Sequence, residues 1–198
     1  MEESFRFIYG KNKVILSAPH CVMHVRNGSI RSKETKTGII VKNLSKKCNV
    51  CSIYKTKHEE NDANWDKKCE YKSALEHFIK KEKIKALIDL HGMAAHRKQD
   101  ICIGINKGAN IFGNIEIVNS FIDIFNRHGF KNVTIDKPFS AEYKYCVSNY
   151  ISRKCKIPTF QIEINLKYRS KTYQEYSKFN DLLDSLEEII ELVNAELV

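Results

Sequence analysis

Short apolar runs of strand length alternate along this chain with longer amphipathic stretches, and that alternation constrains the fold more than any other feature. Val14–Ala18, Val50–Tyr54, Lys85–Leu90, Asp100–Ile105, Val133–Ile135 and Thr159–Ile164 read as strands. Between them, Ile40, Val41 and Leu44, then Tyr71, Leu75, Phe78 and Ile79, then Ile115, Val118, Phe121, Ile122 and Phe125 recur at helical spacing. Tyr143, Val147, Tyr150 and Ile151 mark a further helix, and Leu182, Leu186, Ile189, Ile190, Val193 and Leu197 a closing one. Such a series predicts βαβ units, a mostly parallel sheet and helices on both of its faces. Two strand-like segments, Phe5–Tyr9 and Lys13–Ala18, are separated by Gly10-Lys11-Asn12, whose turn chemistry predicts a hairpin. Pro19 stops the second strand, residues 20–36 read as a long ordered loop, and Thr37 reads as the N-cap of the first helix.

A chain of 198 residues with 42% hydrophobic content is expected to form one domain, residues 1–198, around a sizeable core. No apolar run approaches the ~20 residues that span a bilayer. The first residues, Met1-Glu2-Glu3-Ser4-Phe5-Arg6, are acidic where a signal peptide is basic and then apolar, so a soluble cytoplasmic protein is expected. The seven cysteines are odd in number, scattered and set among apolar neighbours, which points to reduced thiols. Cys48 and Cys51 form a CxxC, but no second pair completes a zinc ribbon, and the motif closes a helix rather than opening one.

The net charge of +9 directs attention to nucleic acid or an anionic substrate. Lysines spread in pairs such as Lys46-Lys47, Lys67-Lys68 and Lys80-Lys81 account for most of it as a solvated surface. There is no aromatic RNA-binding strand, zinc finger or arginine-rich arm, so nucleic acid is not the expected partner.

The chemistry gathers at strand ends. In open α/β sheets active sites lie at the carboxyl ends of the strands. His20 follows Val14-Ile15-Leu16-Ser17-Ala18-Pro19, His91 follows Leu87-Ile88-Asp89-Leu90, and Glu163 lies late in its strand. A catalytic zinc takes three protein ligands and keeps a fourth position open. His20 and His91 supply two, and Glu34, three residues before Thr37, is the candidate third, because the following helix returns that end of the loop to the sheet edge. Glu163 is the candidate general base, since a carboxylate amid Phe160, Ile162 and Ile164 needs a polar reason to be there. Plainer readings stand beside these. Glu34 among Arg31, Lys33 and Lys36 also reads as a solvated ion pair. Gln161, Glu163 and Asn165 share one parity, so a strand with one wet face would put Glu163 in water. The HExxH, P-loop and GxGxxG motifs are absent, and Ser17 lacks the glycine-flanked elbow of a serine hydrolase.

The ordered set Ser17-Ala18-Pro19-His20, Glu34-x-x-Thr37, Leu87-Ile88-Asp89-Leu90-His91-Gly92 and Gln161-Ile162-Glu163-Ile164-Asn165, followed by Tyr168-Arg169, resembles the N-formylglutamate amidohydrolase family. That family is similar in fold to zinc carboxypeptidases and poly-γ-glutamate hydrolase. The resemblance implies a three-layer α/β/α sandwich with a mixed, mostly parallel central sheet (phosphorylase/hydrolase-like), one zinc ion, and hydrolysis of an amide bond. It implies His20 and His91 as metal ligands, Glu34 as the metal carboxylate and Glu163 as the catalytic glutamate. Carboxypeptidases carry their metal glutamate three residues after the first histidine, where this chain has Met23, so the neighbouring His24 competes with Glu34 for the third position. Substrates of this group bear carboxylates, which arginine binds bidentately. Arg97 and Arg169 are the candidates, with Arg26 and Arg153 less well placed, and His24 is counted with them at the substrate. The loop holding Asn64, Trp65 and Asp66 is within reach of the same site, with Trp65 reading equally as a packing anchor. Gly92 is expected to let the chain turn away beneath a ligand. Two rival functions are a peptide or peptidoglycan hydrolase on the same scaffold and a non-catalytic binder of anions or nucleic acid.

Overall fold

The computed structural model describes residues 4–169 and 176–197. Strands Phe5–Ile8 (β1), Asn12–Ala18 (β2), Val50–Lys55 (β5), Ala86–Met93 (β6), Ile101–Gly104 (β7), Val133–Ile135 (β8) and Thr159–Asn165 (β9) form one seven-stranded sheet in the order β1-β5-β2-β6-β9-β7-β8. A two-stranded ribbon of His24–Arg26 (β3) and Ser29–Arg31 (β4) stands apart. The central strands β5, β2, β6 and β9 run parallel. β1 is antiparallel to β5, and β7, itself parallel to β8, is antiparallel to β9. The sheet is therefore mixed and mostly parallel, as expected.

Helices cover both faces because each strand offers apolar side chains in both directions. On one face Val14, Leu16, Ile88, Leu90, Phe160 and Ile162 pack against helices Thr37–Lys47 (α1), Ile115–Arg127 (α3) and Tyr176–Leu197 (α6). On the other, Ile15, Ile53 and Leu87 meet Glu70–Glu82 (α2) and Val147–Cys155 (α4). A short helix, Leu166–Arg169 (α5), follows β9 directly. The seven cysteines are free thiols.

Away from the site, the structure departs from the sequence expectations in four places. β1 and β2 do not form a hairpin; they lie on opposite sides of β5. Gly10 allows the crossing, since a Cβ there would sit 2.3 Å from the Asn49 carbonyl oxygen, the same oxygen that accepts the Lys11 and Asn12 amides. Residues 20–36 are not all loop, because β3 and β4 form a hairpin turned by Asn27 and Gly28, both at positive φ. Lys36, in a left-handed conformation, is the N-cap of α1; Thr37 is its first residue. The fourth helix begins at Val147, leaving Tyr143 in the preceding loop.

Candidate metal centre and its clefts

His20, His91, Glu34 and Glu163 come together at the carboxyl ends of β2, β6 and β9. The register explains two of them: His91 lies beside Glu163, and Ser17 beside Asp89. In parallel neighbours such pairs project to the same side, so His91 and Glu163 share a face. That face is not wet. Every residue of β9 is buried, which removes the reading that strand alternation exposes Glu163. Glu34 reaches the cluster because the loop closes on itself. Its amide donates to the His20 carbonyl at 2.8 Å, while its own carbonyl accepts the Thr37 amide and hydroxyl.

The two histidines are oriented in the same way. His20 Nε2 lies 2.7 Å from Asp62 Oδ1, and His91 Nε2 lies 3.1 Å from Asp89 Oδ2. Each carboxylate accepts a proton held on Nε2. Each ring therefore turns its Nδ1 toward Glu34: His20 Nδ1 is 3.0 Å from Oε1, and His91 Nδ1 is 3.1 Å from Oε2. The Gly92 amide donates to Oε2 at 3.0 Å. His20 and His91 are buried, whereas the Glu34 side chain retains 17% exposure. One ligand atom from each of His20, Glu34 and His91 lies within 4.8 Å of the others. The donor set fits a metal ion. Two imidazole lone pairs and one carboxylate converge, with the opposite nitrogens held by carboxylates, as in carboxylate–histidine–metal arrangements.

Without a metal, the same atoms hold protons. Burial works against charge on His91, but Glu34 and Asp89 outweigh it and raise its pKa well above the ordinary value. Burial opposes charge on His20 as well, and Glu34 and Asp62 again prevail. Glu34 is pulled well below the usual carboxylate range, because the two imidazoles overcome its burial. Glu163 goes the other way: burial, opposed by His91 but reinforced by Glu34, raises it to about 7. Its Oε1 accepts from Gln161 Nε2 at 3.1 Å.

The remaining candidates fall in different places. His24 is buried and stacks on His20 with ring centroids 3.9 Å apart; its Nε2 is 3.6 Å from Asp62 Oδ2. It joins a second group, His20, His24 and Asp62, and not the one around Glu34. Arg169 is buried, and its guanidinium donates to the carbonyls of Ile164, Met93 and Thr35. That fork braces the site from within. Gly92 is part of the reason. It lies inside β6 rather than at a turn, and a Cβ there would come within 2.4 Å of the Arg169 guanidinium. Arg97 is half-buried and rests on the Phe139 ring, 4.8 Å from its centroid. Arg26, ranked lower from sequence, is in the site: its Nε is 2.5 Å from Asp62 Oδ2 and its guanidinium lies over Trp65.

Asp62 and Asp89 were not singled out by sequence, whereas Asn64, in the loop expected within reach of the site, does stand beside His91. Asp89 carried a usable signal, a charge inside the buried run Ile88–Leu90. Asp62 had none, because its loop is polar throughout. Asn64 accepts the Val147 amide on Oδ1 at 2.8 Å, and its side chain packs beside the His91 ring.

Two clefts open on the cluster. One, of about 360 Å³, is walled by Asn64, Trp65, Phe139, Tyr143, Gln161 and Glu163. The other, of about 460 Å³, is walled by His24, Arg31, Lys33, Met93, Leu166 and Arg169. His20, Arg26, Glu34 and Gly92 stand in both.

Comparison with known proteins decides the family. The N-formylglutamate amidohydrolase family profile matches residues 14–168. The chain belongs to that family. Among solved structures it is similar to an N-formylglutamate amidohydrolase from Ralstonia eutropha, with 13% identity, a TM-score of 0.69, and 98% of this chain and 99% of that one covered. A bacteriophage poly-γ-glutamate hydrolase matches at 13% identity and TM-score 0.57, covering 94% and 87%. A metallo-carboxypeptidase from Burkholderia cenocepacia matches at 14% identity and TM-score 0.62, covering 97% of this chain and 60% of that one. At these identities the solved structures establish the shared fold. No curated protein matches by sequence. Among the described residues no helix is long and apolar enough to cross a membrane.

Proposed function

We propose that this protein is a zinc-dependent amidohydrolase that cleaves the amide bond of a small N-acyl or γ-linked acidic amino acid. One observation carries the reading: two imidazole Nδ1 atoms and the Glu34 carboxylate converge, with each Nε2 occupied by its own aspartate. His20, Glu34 and His91 would hold the ion. Zinc bound there supplies Lewis acidity toward a carbonyl and toward water. Membership of an amidohydrolase family supports the reaction class.

The chain's own residues do the rest. Asp62 and Asp89 fix the ring directions, so the Nδ1 lone pairs need no reorganisation. Glu163 stands in the wall of the first cleft with one oxygen held by Gln161. The other oxygen is available to take a proton from an attacking water and return it to the departing amine, which is general base followed by general acid catalysis. Arg26, held by Asp62 and backed by Trp65, offers its remaining N–H groups to a substrate carboxylate. Arg169 acts through position, tying Thr35, beside Glu34, to β6 and β9.

The test is Glu163→Gln in protein loaded with zinc. Zinc content should stay at about one ion per chain while turnover of N-formyl-L-glutamate falls by a factor of about 10² to 10⁴. Turnover preserved in that variant would remove Glu163 from the mechanism. A parent protein that fails to retain zinc after dialysis would remove the metal.

A further inference from the structure

The second cleft has a charge balance unlike the first. In the first, Arg26 and the two histidines are met by Glu34, Glu142 and Glu163. In the second, Arg26, Arg31, Lys33 and Arg169 surround Glu34, the one carboxylate in that wall, which His20 and His91 already claim. Among the described residues the Arg31 and Lys33 side chains have no hydrogen-bond or ion-pair partner. Both are exposed. Arg31 is held on a fixed ribbon, since β4 pairs with β3, His24 bridges to Glu59, and Arg26 is tied to Asp62. A lone surface cation attracts an anion weakly, but a concave wall carrying one sign of charge focuses the field. The volume points the same way. Ligand pockets run from roughly 300 Å³ upward, so the first cleft, at about 360 Å³, is large enough by itself for a small acyl amino acid. The second cleft, at about 460 Å³, is space beyond that need, and it meets the first at Glu34.

We infer that the second cleft is an anion subsite, formed by Arg31 and Lys33, that holds a further substrate carboxylate beyond the one held by Arg26 at the reacting end. The preferred substrate is then an acidic peptide-like chain with several carboxylates rather than a single N-acyl amino acid. This rests on the hydrolase reading above for its reaction, though not for its binding.

The experiment has a turnover arm and a binding arm. Zinc-loaded protein is given N-formyl-L-glutamate and glutamate oligomers of increasing length, in γ-linked and α-linked series that separate the two backbones able to carry a row of carboxylates. The expected result is that kcat/KM rises with length in one series by about tenfold or more, mostly through KM. The double variant Arg31→Glu/Lys33→Glu should lose about tenfold more on the oligomers than on N-formyl-L-glutamate. Equal losses on both, or no dependence on length, overturn the subsite while leaving the hydrolase reading intact. In the binding arm, Glu163→Gln protein is titrated with glutamate pentamers. Binding that raised salt and the charge reversal both weaken supports the subsite even if no substrate is turned over, in which case the hydrolase reading alone falls. Binding indifferent to the charge reversal overturns the subsite, as does a single-stranded oligodeoxynucleotide that displaces the pentamer at equal concentration.

Discussion

Glu34 and Asp62 are both carboxylates set against His20, and each belongs to a group of three residues whose donor atoms lie close enough to share an ion. Their other partners differ. Asp62 is fully buried, and its oxygens accept from His20 Nε2, Arg26 Nε and the Asn64 amide. Burial would raise its pKa, but the His20 and Arg26 hydrogen bonds pull it far below the usual range. A metal there would displace a guanidinium and sit beside the one it displaced. Glu34 accepts one main-chain amide and otherwise faces two ring nitrogens whose protons a metal can replace. Close donor atoms are thus not enough. The difference lies in whether the lone pairs already have cationic partners that cannot leave.

The largest expected effect separates the two groups directly. Glu34→Ala should reduce zinc from about one ion per chain to background, while His24→Ala retains it. Metal analysis after dialysis gives the answer, and the reverse pattern would move the site to the His24 group. Next in size are the orienting carboxylates. Asp89→Asn and Asp62→Asn should each weaken zinc binding about 10- to 100-fold, measured by competition with a chromophoric chelator. Unchanged affinity in both would mean that the tautomers are set by something else.

A proton count sharpens the comparison further. In the metal-free protein the His20 and His91 pKa values are raised, so both rings are charged at pH 6. Zinc binding at that pH should release about two protons, and affinity should fall as the pH is lowered. Calorimetry in buffers of different ionisation enthalpy measures this, and a release near zero would contradict the ligand set. The smallest effect concerns His24. Burial, helped by His20, lowers its pKa to about 4 from 6.5. The unfolded chain therefore binds more protons between those values, and the stability His24 contributes above pH 6.5 is lost as the pH falls through 4. His24→Gln should flatten that part of the stability curve in denaturant titrations.

Much of the fold was legible because buried strands and amphipathic helices leave periodic marks. The apolar runs ending at Ala18, Leu90 and Ile164 all became central strands. The β3–β4 hairpin was missed: the polar composition of residues 20–36 read as loop, although Asn27-Gly28 is a pair suited to tight hairpin turns. The partner of β1 was not legible. Turn residues at 10–12 say that the chain reverses or shifts, but which strand lies beside β1 depends on the close approach of Gly10 to Asn49.

The same division holds at the centre. Sequence alone determined that His20, His91 and Glu163 stand at the ends of strands, because side-chain periodicity and chain order are local properties. It also pointed to Glu34, whose carboxylate the structure sets against His20 and His91. Only the tertiary structure decided what each arginine does. Arg169 and Arg26 are the same residue type near the same carboxylate, yet one is locked on three carbonyls beneath Gly92 and the other opens into both clefts. The partners of a long charged side chain come from segments remote in sequence. Asp62 reaches His20 across 42 residues for the same reason, and no local pattern records such a meeting.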